Sequence, residues 1–83
     1  MKINIELYAS LMALLPPGTE RFRRQLPVAD GSSVQQIIDQ LKIEPEQAHL
    51  VLVNGAFINP DQRALHVLNE NDTLAVWPPV AGG

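Results

Sequence analysis

Thr73-Leu74-Ala75-Val76-Trp77-Pro78-Pro79-Val80-Ala81-Gly82-Gly83 closes the sequence, and the rest of the chain is best read outward from it. Its first five residues alternate. Leu74 and Val76 face one way, Ala75 and Trp77 the other, the period of a strand with two different faces. Pro78 and Pro79 stop that strand because neither has an N–H for a ladder. They also hold the exit extended. Gly82 and Gly83 carry no Cβ, so this end is expected to pass through a channel too narrow for other side chains and to present a free carboxylate. A disordered terminus is the plain alternative.

Upstream, Lys2 to Tyr8 alternates as well, with Ile3, Ile5 and Leu7 on one face and Lys2, Asn4, Glu6 and Tyr8 on the other. Ala9 to Leu15 is expected to form a short helix, apolar at Leu11, Met12, Leu14 and Leu15, and ended by Pro16-Pro17-Gly18. Thr19 to Val28 is the expected second strand. Phe22, Leu26 and Val28 share a face with Arg24, and Pro27 assigns the strand to an edge. Arg21, Arg23 and Arg24 are read first as a solvated edge that resists aggregation, with docking as the second reading.

Ser33 and Gln36 have capping-box spacing, and Ser32 with Gln35 fits nearly as well. Val34, Ile37, Ile38 and Leu41 follow at i, i+3, i+4 and i+7, an amphipathic helix. His49 to Asn54 reads as a third strand and Ala56 to Ile58 as its return, joined by Asn54-Gly55, the preferred dipeptide of a tight hairpin. From Gln62 to Leu68 the pattern is irregular, with Leu65 and Leu68 expected inside. Strand, helix, strand, helix and three strands make an α+β chain with helices on one face of a sheet.

The 83 residues suffice for one domain with a small core. Hydrophobic residues make up 46% and mean hydropathy is +0.01, which excludes a disordered composition. Net charge is −3 and the pI is about 5.1, which argues against nucleic acid as partner. Cysteine is absent, so disulfides and thiolate metal sites are excluded, and a cytoplasmic location is expected. For the same reason no side chain here can carry a persulfide. Leu7 to Leu15 is not expected to be a signal h-region, since Asn4 and Glu6 stand where positive charge belongs. No stretch reaches membrane-span length. His49 and His66 lack ligand-spaced neighbours, so no metal site is expected.

Leu7-Tyr8-Ala9, Leu52-Val53-Asn54-Gly55, His66 to Leu74 and the ending Trp77-Pro78-Pro79-Val80-Ala81-Gly82-Gly83 together resemble the MoaD/ThiS family of ubiquitin-like sulfur carriers. The Pro-Pro-Val-x-Gly-Gly ending is most similar to the MoaD branch, the small subunit of molybdopterin synthase. The likeness spans nearly the whole chain. Two departures are visible: Asn71 stands where the family usually has glycine, and the loop Asn59 to Ala64 is longer than in many members. Asparagine tolerates positive φ, so the turn is expected to survive.

The resemblance implies a β-grasp fold, with a mixed sheet of four to five strands. In it the first and last strands lie parallel at the centre and the second at an edge. Residues 1–79 would form the domain and residues 80–83 the tail. It implies that an adenylating enzyme of the ubiquitin-activating type (MoeB/ThiF-like) uses ATP to activate Gly83. A cysteine desulfurase or rhodanese would supply sulfur, leaving Gly83 as a thiocarboxylate. The acceptor would be a pterin precursor on the large, MoaE-like subunit. The carrier would bind no cofactor and have no catalytic site of its own. Val80, Ala81 and Gly82 would be the threaded residues, with the stretch from Val80 projecting about 12–14 Å. Strand parity puts Tyr8 and Trp77 on the outer face, beside Pro78 and Pro79. With Phe57, which the family resemblance adds, they would form a partner-binding patch. Other sulfur-carrier pathways (thiamine thiazole, a tungsten cofactor or an amino acid) and a protein modifier or binding module are the alternatives.

Overall fold

The computed structural model describes residues 1–80. Five strands, β1 (Lys2–Leu7), β2 (Arg23–Pro27), β3 (Leu50–Val53), β4 (Ala56–Phe57) and β5 (Thr73–Trp77), form one sheet in the order β2-β1-β5-β3-β4. β1 and β5 are parallel at its centre, with Ile5 opposite Leu74 and Leu7 opposite Val76. All other pairings are antiparallel. This is the β-grasp arrangement that the resemblance implied, and Pro27 lies on the edge strand as its missing N–H requires.

The helix α1 (Val34–Gln40) lies against one face of the sheet. Ser33 caps it. Its hydroxyl accepts from the Gln36 N–H at 3.2 Å, while the Gln36 side chain accepts from the Ser33 N–H at 2.8 Å. Ser33, not Ser32, is therefore the N-cap. Val34, Ile37 and Ile38 meet Ile3, Ile5, Leu7, Val51, Val53, Leu74 and Val76, all buried. Each fully buried aliphatic side chain contributes about 1.5–3 kcal/mol, so this double layer supplies the main favourable term.

The central strand β5 is tied at both ends. At its start, Asn4 N–H donates to Asp72 O at 2.8 Å and Asn54 N–H donates to Thr73 O at 2.9 Å. The Asn54 side chain accepts from Thr73 N–H at 2.9 Å and donates to the Asp72 carboxylate at 2.9 Å. Asn54 and Gly55 have φ of 50° and 83°, as a tight hairpin turn demands, and Asn71 has φ of 68°. Asparagine thus takes the left-handed position expected of it. At the far end, Val76 O accepts from Tyr8 N–H at 3.2 Å and Trp77 O from His49 N–H at 3.1 Å.

Four sequence expectations need correction here. The segment after β1 is a 3-10 helix, Ala9–Leu14, with only Leu11 buried; Leu14 points outward. It begins at Ala9 with φ of 52°, a left-handed turn that side chains resist. The second strand is half the expected length, because residues before Arg23 form a loop gathered around Arg24. The guanidinium donates to the carbonyls of Pro16 (2.7 Å), Gly18 (3.2 Å), Arg23 (2.7 Å) and Glu20. Arg24 is thus a structural clamp and not part of a solvated edge. Leu65 is 72% exposed, while Leu68 is buried as expected. The inward position near Leu65 belongs to Arg63, only 6% exposed. Arg63 donates to Ala48 O at 2.7 Å and His49 O at 3.3 Å, and its own carbonyl accepts from Gln35 N–H at 2.9 Å. Its burial lowers the guanidinium pKa below its ordinary value.

Two substitutions test these local arguments. Ala9→Gly removes the Cβ penalty but adds unfolded-state entropy. The expected net gain is about 0.5–1 kcal/mol, seen as a rise of roughly 2–8 °C in a thermal melt. Arg63→Met leaves the Ala48 and His49 carbonyls without this donor, and urea unfolding is expected to register a loss of about 1–3 kcal/mol for each one left unpaired.

Candidate functional site

The sheet has a second face, away from α1, and strand parity decides what stands on it. In β3 the residues alternate with Val51 and Val53, which are buried, so Leu50 and Leu52 point outward. Leu50 is paired with Trp77, and Leu52 with both Ala75 and Phe57. Across β1, Glu6 stands beside Ala75, and Tyr8 follows at the strand's end.

Tyr8 and Trp77 stack with ring centroids 4.3 Å apart and an interplanar angle of 2°. Stacking of this kind adds about 0.5–1.5 kcal/mol to the burial of the rings. Phe22 extends the run, its centroid 5.1 Å from that of Tyr8. This ring was expected to share a face with Arg24, Leu26 and Val28. It stands just before β2 begins, where Arg24, opposite Ile5, turns its guanidinium into the preceding loop. Phe22 instead lies against Tyr8 and stays 38% exposed.

The apolar outer surface therefore has two parts. Phe22, Tyr8, Trp77 and Leu50 lie at the end of the sheet where the chain leaves β5. Phe57, 53% exposed, lies across Leu52 from Ala75. The structure brings Tyr8 and Trp77 into direct contact and joins Phe57 through Leu52. Sequence reading missed Leu50, Leu52 and Phe22 as members. The alternation Leu50-Val51-Leu52-Val53 carried the signal for the first two, since an edge-ward strand with two apolar faces must present one of them outward. Exposed apolar patches of this kind mark sites of association.

Pro78 is half-buried, and Pro79 and Val80 are exposed. The tail thus departs from the aromatic end of the patch. The expectations for Ala81, Gly82 and Gly83 lie outside the described residues.

A polar network borders the stack. The Glu6 carboxylate accepts from the Tyr8 hydroxyl at 2.9 Å and pairs with the Arg23 guanidinium. Desolvation by burial is the main cause that raises the Tyr8 pKa above its ordinary 10.0; the Glu6 hydrogen bond and charge add to it, and Arg23 opposes it. Among the described residues no cluster of three or more His, Cys, Asp or Glu could hold a metal ion, and no helix is long and apolar enough to cross a membrane.

A β-grasp sheet whose central last strand leads into a Pro-Pro-Val-Ala-Gly-Gly ending is the architecture of the ubiquitin-like sulfur carriers. The ThiS family model matches residues 5–83, so the chain belongs to the ThiS family, within the MoaD/ThiS class of such carriers. No curated protein matches it in sequence. Among solved structures it is similar to SAMP1 from Haloferax volcanii, at 22% identity and a TM-score of 0.70 with all of both chains covered. It is also similar to a chain in the complex of subunits 1 and 2 of molybdopterin-converting factor from Helicobacter pylori, at 12% identity and a TM-score of 0.61, with both chains fully covered. A third is the thiamine biosynthesis protein ThiS from Geobacter metallireducens, at 14% identity and a TM-score of 0.62, covering 96% of this chain and 99% of that one. These likenesses establish the fold.

The Tyr8 environment has a measurable consequence. Because the folded state holds the phenolic proton more tightly than the unfolded state, the associated stability is present below pH 10.0 and is lost as pH rises through the raised value. Ultraviolet titration should find Tyr8 ionising above its ordinary range. Glu6→Gln should move that ionisation down without abolishing the rise due to burial.

Proposed function

We propose that this chain is the sulfur-carrying small subunit of a molybdopterin synthase. The observation that carries the reading is the coincidence of three features at one end of the sheet. The central strand β5 is held on both sides up to Val76 and Trp77, an aromatic surface surrounds the exit, and the chain runs on into Pro-Pro-Val-Ala-Gly-Gly. The likeness to a molybdopterin-converting factor chain in complex with its second subunit supports a large subunit as partner.

A carboxylate lacks a leaving group, so the Gly83 end must be activated. An adenylating enzyme would join it to AMP from ATP, releasing pyrophosphate. A persulfide from a desulfurase or rhodanese then attacks the acyl carbon and AMP leaves, giving an acyl disulfide. A second thiol attacks the donor-side sulfur, forming a disulfide and releasing the Gly83 thiocarboxylate. On the large subunit that sulfur would attack an electrophilic carbon of the pterin precursor and displace an oxygen leaving group from it, joining carrier and precursor through a thioester. Water then cleaves the thioester and returns the carrier as a carboxylate.

The carrier contributes position and recognition. A reactive end is placed well only if its base is rigid. Ordering the tail costs about 1–2 kcal/mol per residue. Pro78 and Pro79 reduce that cost by limiting the free chain, and docking of Tyr8, Trp77, Leu50 and Phe57 offsets the rest. A second reading is favoured by the likeness to SAMP1, a small archaeal modifier protein. In it Gly83 is conjugated to lysines.

Intact mass after incubation with the adenylating enzyme, ATP and a sulfur source separates them. One oxygen-to-sulfur exchange at the terminus, absent when Gly83 is deleted, is expected for the carrier. Isopeptide-linked adducts without that exchange would favour the modifier. Trp77→Ala is expected to weaken binding to the large subunit by about 2 kcal/mol, roughly 30-fold, while circular dichroism stays native. Equal affinity by calorimetry would exclude the aromatic end as the docking surface.

A further inference from the structure

The patch around Trp77 is not symmetric in charge. Three of the chain's six Lys and Arg residues fall at 21, 23 and 24, at the Phe22 end, although the chain as a whole carries −3. The three have different roles. Arg24 is occupied by the carbonyls of the 16–20 loop. Arg23 is neutralised by Glu6. Arg21 is exposed, its guanidinium carbon 5.3 Å from the Phe22 ring centroid, and among the described residues it has no carboxylate partner.

Arg21 is also held in place. Its neighbour Phe22 is fixed between Tyr8 and the ladder, since Leu7 N–H donates to Phe22 O at 3.0 Å. The loop before it is drawn in by Arg24, and a Cβ on Gly18 would collide with the Arg24 side chain. A cation stacked on a packed aromatic ring loses little freedom on binding, and arginine and aromatic residues dominate association energies when they lie together.

We propose that Arg21 and Phe22 form a charged corner of the docking surface, selecting a protein partner that sets carboxylate side chains beside the apolar socket for Tyr8 and Trp77. This rests on the carrier reading above, in which the outer face docks. The corner orients the partner about the tail: the aromatic run alone is apolar along its length, whereas a cation at one end distinguishes the two ends. Charge complementarity of this kind acts mainly on encounter rate and on discrimination between partners.

The test uses the full chain with two probes, the purified large subunit and the purified adenylating enzyme from the same organism. Affinity and association rate are measured at low and high salt for the wild type, Arg21→Glu, Arg21→Lys and Phe22→Ala. Arg21→Glu is expected to lower affinity for at least one probe about tenfold at low ionic strength and to flatten its salt dependence. Arg21→Lys should keep the salt dependence. Phe22→Ala should weaken binding while the salt dependence is reduced less than by Arg21→Glu. Unchanged affinity and salt slope for Arg21→Glu with both probes, while the wild type binds and is loaded with sulfur, would overturn the corner alone. A wild type that neither probe binds and that is never loaded would overturn the carrier reading and the corner with it.

Discussion

The parallel pairing of β1 and β5 is the constraint on which the rest depends. Parallel neighbours must be buried on the face that carries them, because their connection needs a long crossover. Here that crossover includes β2, α1, β3 and β4, and it returns the chain to the centre of the sheet only at Thr73. The last strand is therefore the most enclosed, with Leu74, Ala75 and Val76 all buried. A tail leaving such a strand starts from a fixed point, and Pro78, Pro79 and Val80 add no ladder beyond Trp77.

Electrostatics and backbone geometry reinforce that point from both ends. Asn54 and Asp72 lock the start of β5 to the β3–β4 hairpin, using one amide for both a donor and an acceptor role. At the exit, the 3-10 helix after β1 begins in a left-handed conformation at Ala9. That turn frees Tyr8 to stack on Trp77 while its N–H still holds Val76 O. The outer surface and the exit are thus built by the same few residues. Under the proposed function, this keeps the docking surface in a constant relation to the point where the tail begins.

Two arginines, Arg63 buried and Arg24 half-buried, illustrate how a small core compensates for limited apolar material. Arg63 and Arg24 each gather backbone carbonyls from segments without regular structure. A planar guanidinium has five donors at fixed angles and satisfies several acceptors at once. The loops at Pro16–Glu20 and Ala48–His49 are held by these clamps through hydrogen bonds to their carbonyls.

Period and punctuation made much of this legible in the sequence. Alternation in Lys2 to Leu7 and in Thr73 to Trp77, the i, i+3, i+4, i+7 stripe from Val34, and Asn54-Gly55 are local signals whose physics is local. They determined the strands, the helix, the hairpin and the opposition of Tyr8 and Trp77 to the core. Phe22, Leu65, Arg24 and Arg63 were misplaced or unread, because their positions follow from which residue wins a contact with a distant segment. Only the tertiary structure decided that Phe22 completes an aromatic run and that Arg63 is buried while Leu65 is exposed. Those choices depend on packing between chain segments, and hydrophobicity along the sequence carries no record of it.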